Sequence, residues 1–285
     1  MNSKLLTVVG LLGVFAVGCG ARNKSANDSD GTLGESELQL QADAQEGDDV
    51  EEATESGLEE SASGATPSDP GATPDAATDD ELREKVKANI GLFFQPAGCI
   101  TTTWNGNVAT HVFDNCTGPY GMVKFNGTVT STYTREAGKL TVVHEANGFM
   151  LNGATVSGKR TVVYTRSGTT ITRTRTGSWT GTTAKGNAIS HEANFTASYD
   201  VAARCITRDG SATTAIGGRS FSRSIEDFKR CGIGSLGCPE SGKIVLSRTN
   251  ANGTASLTIE FEGGRDYTVT RPNGAQVERQ LICRE

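Results

Sequence analysis

The sequence predicts an all-β domain: an antiparallel meander, braced by disulfides and carrying one or two short helices. Apolar and polar residues alternate with period two over long stretches, Asn-Gly pairs fall between those stretches, and six cysteines share the same region. The alternation does not separate a long twisted sheet from a sandwich or a barrel.

Residues 1–18 have the parts of an export signal. Lys4 supplies positive charge, residues 5–17 are apolar, and small residues precede Cys19. Arg22 and Lys24 end the apolar run well short of the roughly 20 helical residues that a bilayer core needs. A cleaved signal is therefore expected, and an ordinary secretory cut near Gly18 or Ala21 is one form of it.

The stretch Ala16-Val17-Gly18-Cys19 resembles the lipobox of bacterial lipoproteins, an aliphatic residue and two small ones before a lipidated cysteine, with Ala16 where that family most often has Leu. The resemblance implies that Cys19 becomes the first mature residue and carries several acyl chains, enough for stable anchoring where one chain is marginal. Gly20 in place of Asp implies the outer membrane. The expected location is the cell envelope, lipid-anchored, facing the periplasm or the cell surface.

Residues 19–80 are expected to form a disordered acidic tether. Residues 22–80 contain 17 acidic and two basic residues, two Thr-Pro steps and no aromatic residue. Too little apolar surface is present to offset ordering entropy. A flexible coil of that length reaches on the order of 40–45 Å, holding the following domain off the membrane. Masking of a basic partner site is the functional alternative to a plain spacer.

Residues 81–285 form the expected β-domain, with 24 basic against 16 acidic residues, hence +8 inside a chain whose net charge is −6. Ordinary solubility accounts for such a charge, and attraction to anionic glycans or lipid headgroups is the functional reading. Cys99, Cys116, Cys205, Cys231, Cys238 and Cys283 are even in number in an exported chain, which argues for three disulfides. Six cysteines allow 15 connectivities. The pairs that bracket hairpins are Cys99–Cys116, Cys205–Cys231 and Cys238–Cys283. Zinc is disfavoured, because no CxxC pair exists and no histidine neighbours these cysteines.

The strands follow. In residues 123–133 the odd positions Val123, Phe125, Val129 and Tyr133 oppose Lys124, Asn126, Thr128 and Thr130. The same rhythm recurs around Leu140, Val156 and Tyr164, in Ile189-His191-Ala193-Phe195, and in residues 257–282. About ten to thirteen strands are expected. Asn-Gly at 105–106, 152–153, 252–253 and 273–274 suits hairpin turns, while Asn126-Gly127 inside an alternating run suggests a bulge. Thr78 to Glu81 forms a capping box before Leu82, Val86 and Ile90, and Ser224 to Asp227 resembles another before Phe228. Each helix is expected to cover a sheet end.

Chemistry is sparse. His-Glu-Ala-Asn occurs at 144–147 and 191–194, so neighbouring strands would bring His144 and His191 together for a metal or a proton. Glu145 and Glu192 point away from their own histidines. A hydrogen-bonded, half-buried imidazole is the plain reading, and His111 lacks a partner in sequence. No G-x-S-x-G elbow is present and no cofactor is implied. In residues 170–180, Arg173 and Arg175 take the parity of Ile171 and Trp179. An edge strand with two wet faces explains this, and an anion-binding groove, with Arg160 and Arg166 nearby, is the functional alternative.

The 113–119 turn Phe-Asp-Asn-Cys-Thr-Gly-Pro, the Gly237-Cys238-Pro239 step and the closing Leu281-Ile282-Cys283 are similar to features of Gly- and Thr-rich envelope lipoproteins. That likeness implies no activity. The expected function is a membrane-anchored, non-enzymatic β-domain meeting a glycan or a protein at the envelope, with no nucleic acid expected as a partner. The alternatives are a small-molecule carrier with a barrel cavity and, lower, a hydrolytic enzyme.

Overall fold

A computed structural model describes residues 78–118, 124–232 and 237–283. One helix, α1 (Asp79–Phe93), precedes thirteen strands: β1 (Ile100–Asn105), β2 (Val108–Thr117), β3 (Lys124–Glu136), β4 (Lys139–Leu151), β5 (Ala154–Ser167), β6 (Thr170–Thr182) and β7 (Ala188–Asp200), then β8 (Cys205–Ile216), β9 (Arg219–Arg230), β10 (Pro239–Asn250), β11 (Gly253–Phe261), β12 (Asp266–Thr270) and β13 (Gln276–Gln280). Every strand pairs antiparallel with its neighbours in sequence, giving one sheet in the order β1 to β13. No pairing joins β1 to β13 among the described residues.

Turn chemistry explains the order. Asn152 and Gly153, the two residues between β4 and β5, take φ of 48° and 84°, the left-handed pair that a type I′ hairpin requires. The Asn-Gly pairs at 105–106, 252–253 and 273–274 also lie at hairpin ends. Asn126-Gly127 instead sits within β3, where the register to β4 shifts between Asn126 and Val129. On β4 the shift falls at Asn147-Gly148, a pair of the same type that serves a bulge rather than a turn.

Alternation buries one face of the sheet. In β7, Ile189, His191, Ala193 and Phe195 are buried while Ser190, Glu192 and Asn194 are exposed. The buried face is covered in part by α1, whose Leu82 and Val86 pack with Tyr133, Leu140, Val142 and Val162. Thr78 caps that helix, its Oγ1 accepting from the Glu81 amide at 3.1 Å. Phe94, just past the helix, sits edge-on to Phe113 and Phe125 at 5.3 Å. A third apolar cluster runs over β7 to β12, around Phe228, Ile244, Leu257 and Phe261.

Disulfides join Cys99 to Cys116, Cys205 to Cys231 and Cys238 to Cys283. The first ties the stretch before β1 to β2, the second joins the start of β8 to the end of β9, and the third links both ends of the β10–β13 segment.

Three expectations are corrected. Residues 224–227 are not a helix but part of β9, because Phe221, Arg223 and Ile225 keep the alternation going. The Asp227 amide donates to Asp209 Oδ1 across a β8–β9 register shift at 2.7 Å, satisfying locally what a cap would have satisfied. The strand carrying Arg173 and Arg175 is not an edge: β6 lies between β5 and β7, paired over its whole length on both sides. Residues 113–117, expected as a turn, belong to β2, which bulges between Phe113 and Cys116 with Asn115 at φ 51°. Cys19, the signal at 1–18, the tether through residue 77 and Pro119 lie outside the described residues.

Candidate functional site

The polar side chains of interest lie on the buried face. His111, Ser131, His144, Arg160, Arg175, His191, Thr214 and Arg223 are all buried, and no Asp or Glu is buried with them among the described residues. Their placement follows from strand register, since directly opposite residues share a face.

All three histidines use one arrangement. Each stands opposite a hydroxyl on a neighbouring strand: His111 opposite Thr102, His144 opposite Ser131 and His191 opposite Thr214. Each ring bonds that hydroxyl through Nδ1, at 2.9, 2.9 and 2.8 Å respectively. For His111 and His144, Nε2 is buried without a hydrogen-bond partner. Burial pushes the His111 pKa down to about 4. Burial, then the charges of His111 and Arg160, push that of His144 down to about 3. Both rings are thus neutral at ordinary pH.

The arginines gather where the facing residues are small. Across the sheet, Arg160, Gly177, Ala193, Ala212 and Arg223 follow one another in register. A side chain at Gly177 would meet the Arg160 Cα, and one at Gly210, whose φ is 140°, would strike Asn194 and Phe195. The guanidinium groups of Arg175, Arg208 and Arg223 stand 5.1, 4.9 and 5.1 Å from the centre of the Phe195 ring. Arg173 and Arg208 face each other across Ala197 in the adjoining register row, and both are half-buried.

A cavity of about 50 Å³ opens on the same face between β3 and β6. His144, Arg160 and Trp179 are its buried polar residues, Glu145, Lys159 and Ser178 line it as well, and Val129, Phe149, Leu151 and Val156 form its apolar wall. The Trp179 ring stacks on His191, with centroids 5.1 Å apart and planes 19° from parallel.

Of the residues singled out in the sequence, Arg173 and Arg175 fall beside this cluster, and Arg160 joins it, while Arg166 is exposed. His144 and His191 are not brought onto neighbouring strands: β5 and β6 lie between β4 and β7. Cys205 and Cys231 lie within 4.8 Å of a Glu240 oxygen, but the two sulfurs are bonded to each other. Sequence reasoning missed Arg208, Arg223 and Trp179. The parity that exposed Arg173 applies to Arg208 and Arg223 as well, each sharing a face with Ile206 or Phe221.

These features define a class of domain: a disulfide-braced, single-sheet antiparallel meander with a cationic buried face. Comparison with family models, with curated proteins and with solved structures returns no match. No helix among the described residues is long and apolar enough to cross a membrane.

Proposed function

We propose that the chain is an exported, lipid-anchored envelope protein whose β-domain is a non-enzymatic binding module for an anionic glycan. The observation that carries this reading is the convergence of Arg175, Arg208 and Arg223 on Phe195, with Arg173 opposite Arg208. Guanidinium forks pair bidentately with carboxylate, sulfate or phosphate, and guanidinium groups are attracted to aromatic rings. Arg173 and Arg208 are the half-buried members, whereas Arg175 and Arg223 are buried. The buried histidines support a binding role over a catalytic one, since each spends Nδ1 on a hydroxyl and no carboxylate is buried with them among the described residues.

The anchoring part rests on the lipobox resemblance at Cys19 and on the acidic, aromatic-free stretch after it. Heparin, a sulfated polyanion, serves as the probe. The full chain should be retained on a heparin column at low salt, and Arg173→Glu with Arg208→Glu should release it at clearly lower salt. Passage of the wild type in the void volume overturns the glycan reading. Cys19→Ser should shift the protein from the membrane to the soluble fraction; unchanged fractionation overturns the anchor.

A further inference from the structure

The cavity between β3 and β6 supports a second site, independent of the glycan reading. Its wall is formed by Val129, Phe149, Leu151, Val156 and the face of Trp179. Into that wall are set two polar side chains that their neighbours hold in place. His144, 5% exposed, is pinned through Nδ1 to Ser131, so Nε2 lies on the opposite side of the ring, buried and without a hydrogen-bond partner. Trp179 is fixed by stacking on His191, itself tied to Thr214, and its Nε1 is also buried without a partner. Leaving such a group unsatisfied carries an uncompensated desolvation penalty, so two of them on one apolar cavity point to a ligand that supplies the missing bonds.

The donor set selects the ligand. An indole N–H and a guanidinium only donate, so the head group must accept. Arg160, Lys159 and Glu145 also line the cavity; exposed Glu145 is ion-paired with Lys159 at 3.0 Å, and no carboxylate is buried among the described residues, so the inner part carries the Arg160 cation, which favours an anion over an amine or a metal ion. Neutral His144 adds either one donor or one acceptor without altering that charge. At about 10–15 Å³ per water-sized centre, the volume takes roughly three to five such centres, the size of a carboxyl group with a short tail.

We propose that this cavity binds a short-chain carboxylate, the head accepting from Trp179 Nε1 beside His144 and Arg160 and the tail lying against Phe149, Leu151 and Val156. The probe is butyrate, added to the full chain. Butyrate should raise Tm and move the Trp179 indole N–H resonance, distinguished from that of Trp104 by its loss in Trp179→Phe or by its persistence in Trp104→Phe. Trp179→Phe keeps a ring and removes the donor, and should weaken butyrate about tenfold, one lost hydrogen bond. Butylamine should do neither. An unmoved resonance and unchanged Tm in the wild type at about 20 mM butyrate, well above the millimolar range of so small a ligand, overturns the proposal, and so does an equal response to butylamine. The wild-type readout stands whether or not Trp179→Phe folds. Arg173→Glu with Arg208→Glu should leave the butyrate response intact, so failure of the glycan reading and failure of this one are told apart.

Discussion

At the scale of single residues, the histidine–hydroxyl pairs couple folding to pH. A ring whose folded pKa lies below its unfolded value near 6.5 is neutral in the folded state and protonated in the unfolded chain as pH falls. Stability is therefore level above about pH 6.5 and declines as pH drops from there toward the folded values of about 4 for His111 and about 3 for His144. Each ring is expected to cost about 2–3 kcal/mol between about pH 7 and about pH 4.5. Urea unfolding at those two pH values measures the loss, and His111→Gln with His144→Gln should remove most of it. A ring resonance titrating near 6.5 in the folded protein would contradict the account. Sequence placed His144 and His191 on the apolar parity but not their partners. Ser131 and Thr214 come into register only through pairings set by turns elsewhere in the chain.

At the scale of elements, alternation made the strands legible and local capping made α1 legible. Thr78, Leu82 and Val86 state in sequence both where the helix starts and which side is apolar. The same box-like pattern at 224–227 misled, because a cap matters only where no strand partner satisfies the backbone, and β8 and β10 flank β9 on both sides. The edge reading of β6 failed for a related reason. Charge on the inward parity does not mark an edge here: Arg175 is buried in a strand paired on both sides, its guanidinium 5.1 Å from the centre of the Phe195 ring. For α1, the burial of Leu82 and Val86 against the sheet predicts that Leu82→Ala costs about 2–4 kcal/mol and Thr78→Ala about 1 kcal/mol. Exposed Arg135–Asp79, at 3.1 Å, should contribute little by comparison. Chemical denaturation of the three variants checks the order, and an Arg135→Ala loss as large as that of Leu82→Ala would reverse it.

At the scale of the whole molecule, the meander makes stability nearly one-dimensional, since each strand is hydrogen-bonded only to its neighbours in sequence. Such an array opens from its weaker end. β12 and β13 are five residues each, against 12 to 14 for β3 to β10, so they share the fewest ladder bonds. What holds that end is the bridge from Cys238 to Cys283, which closes a span of 45 residues around β10 to β13. Loop-closure entropy assigns it about 4 kcal/mol, more than the bridges of separation 17 and 26. Reduction should therefore release amide exchange first in β12 and β13, then in β11, while β4 to β7 keep their protection until global unfolding. Cys238→Ser with Cys283→Ser should reproduce that pattern with the other two disulfides intact. Hydrogen-exchange mass spectrometry reads it directly: uniform loss of protection across all thirteen strands would mean that the sheet unfolds as one cooperative unit, and that the order written in its topology has no energetic counterpart.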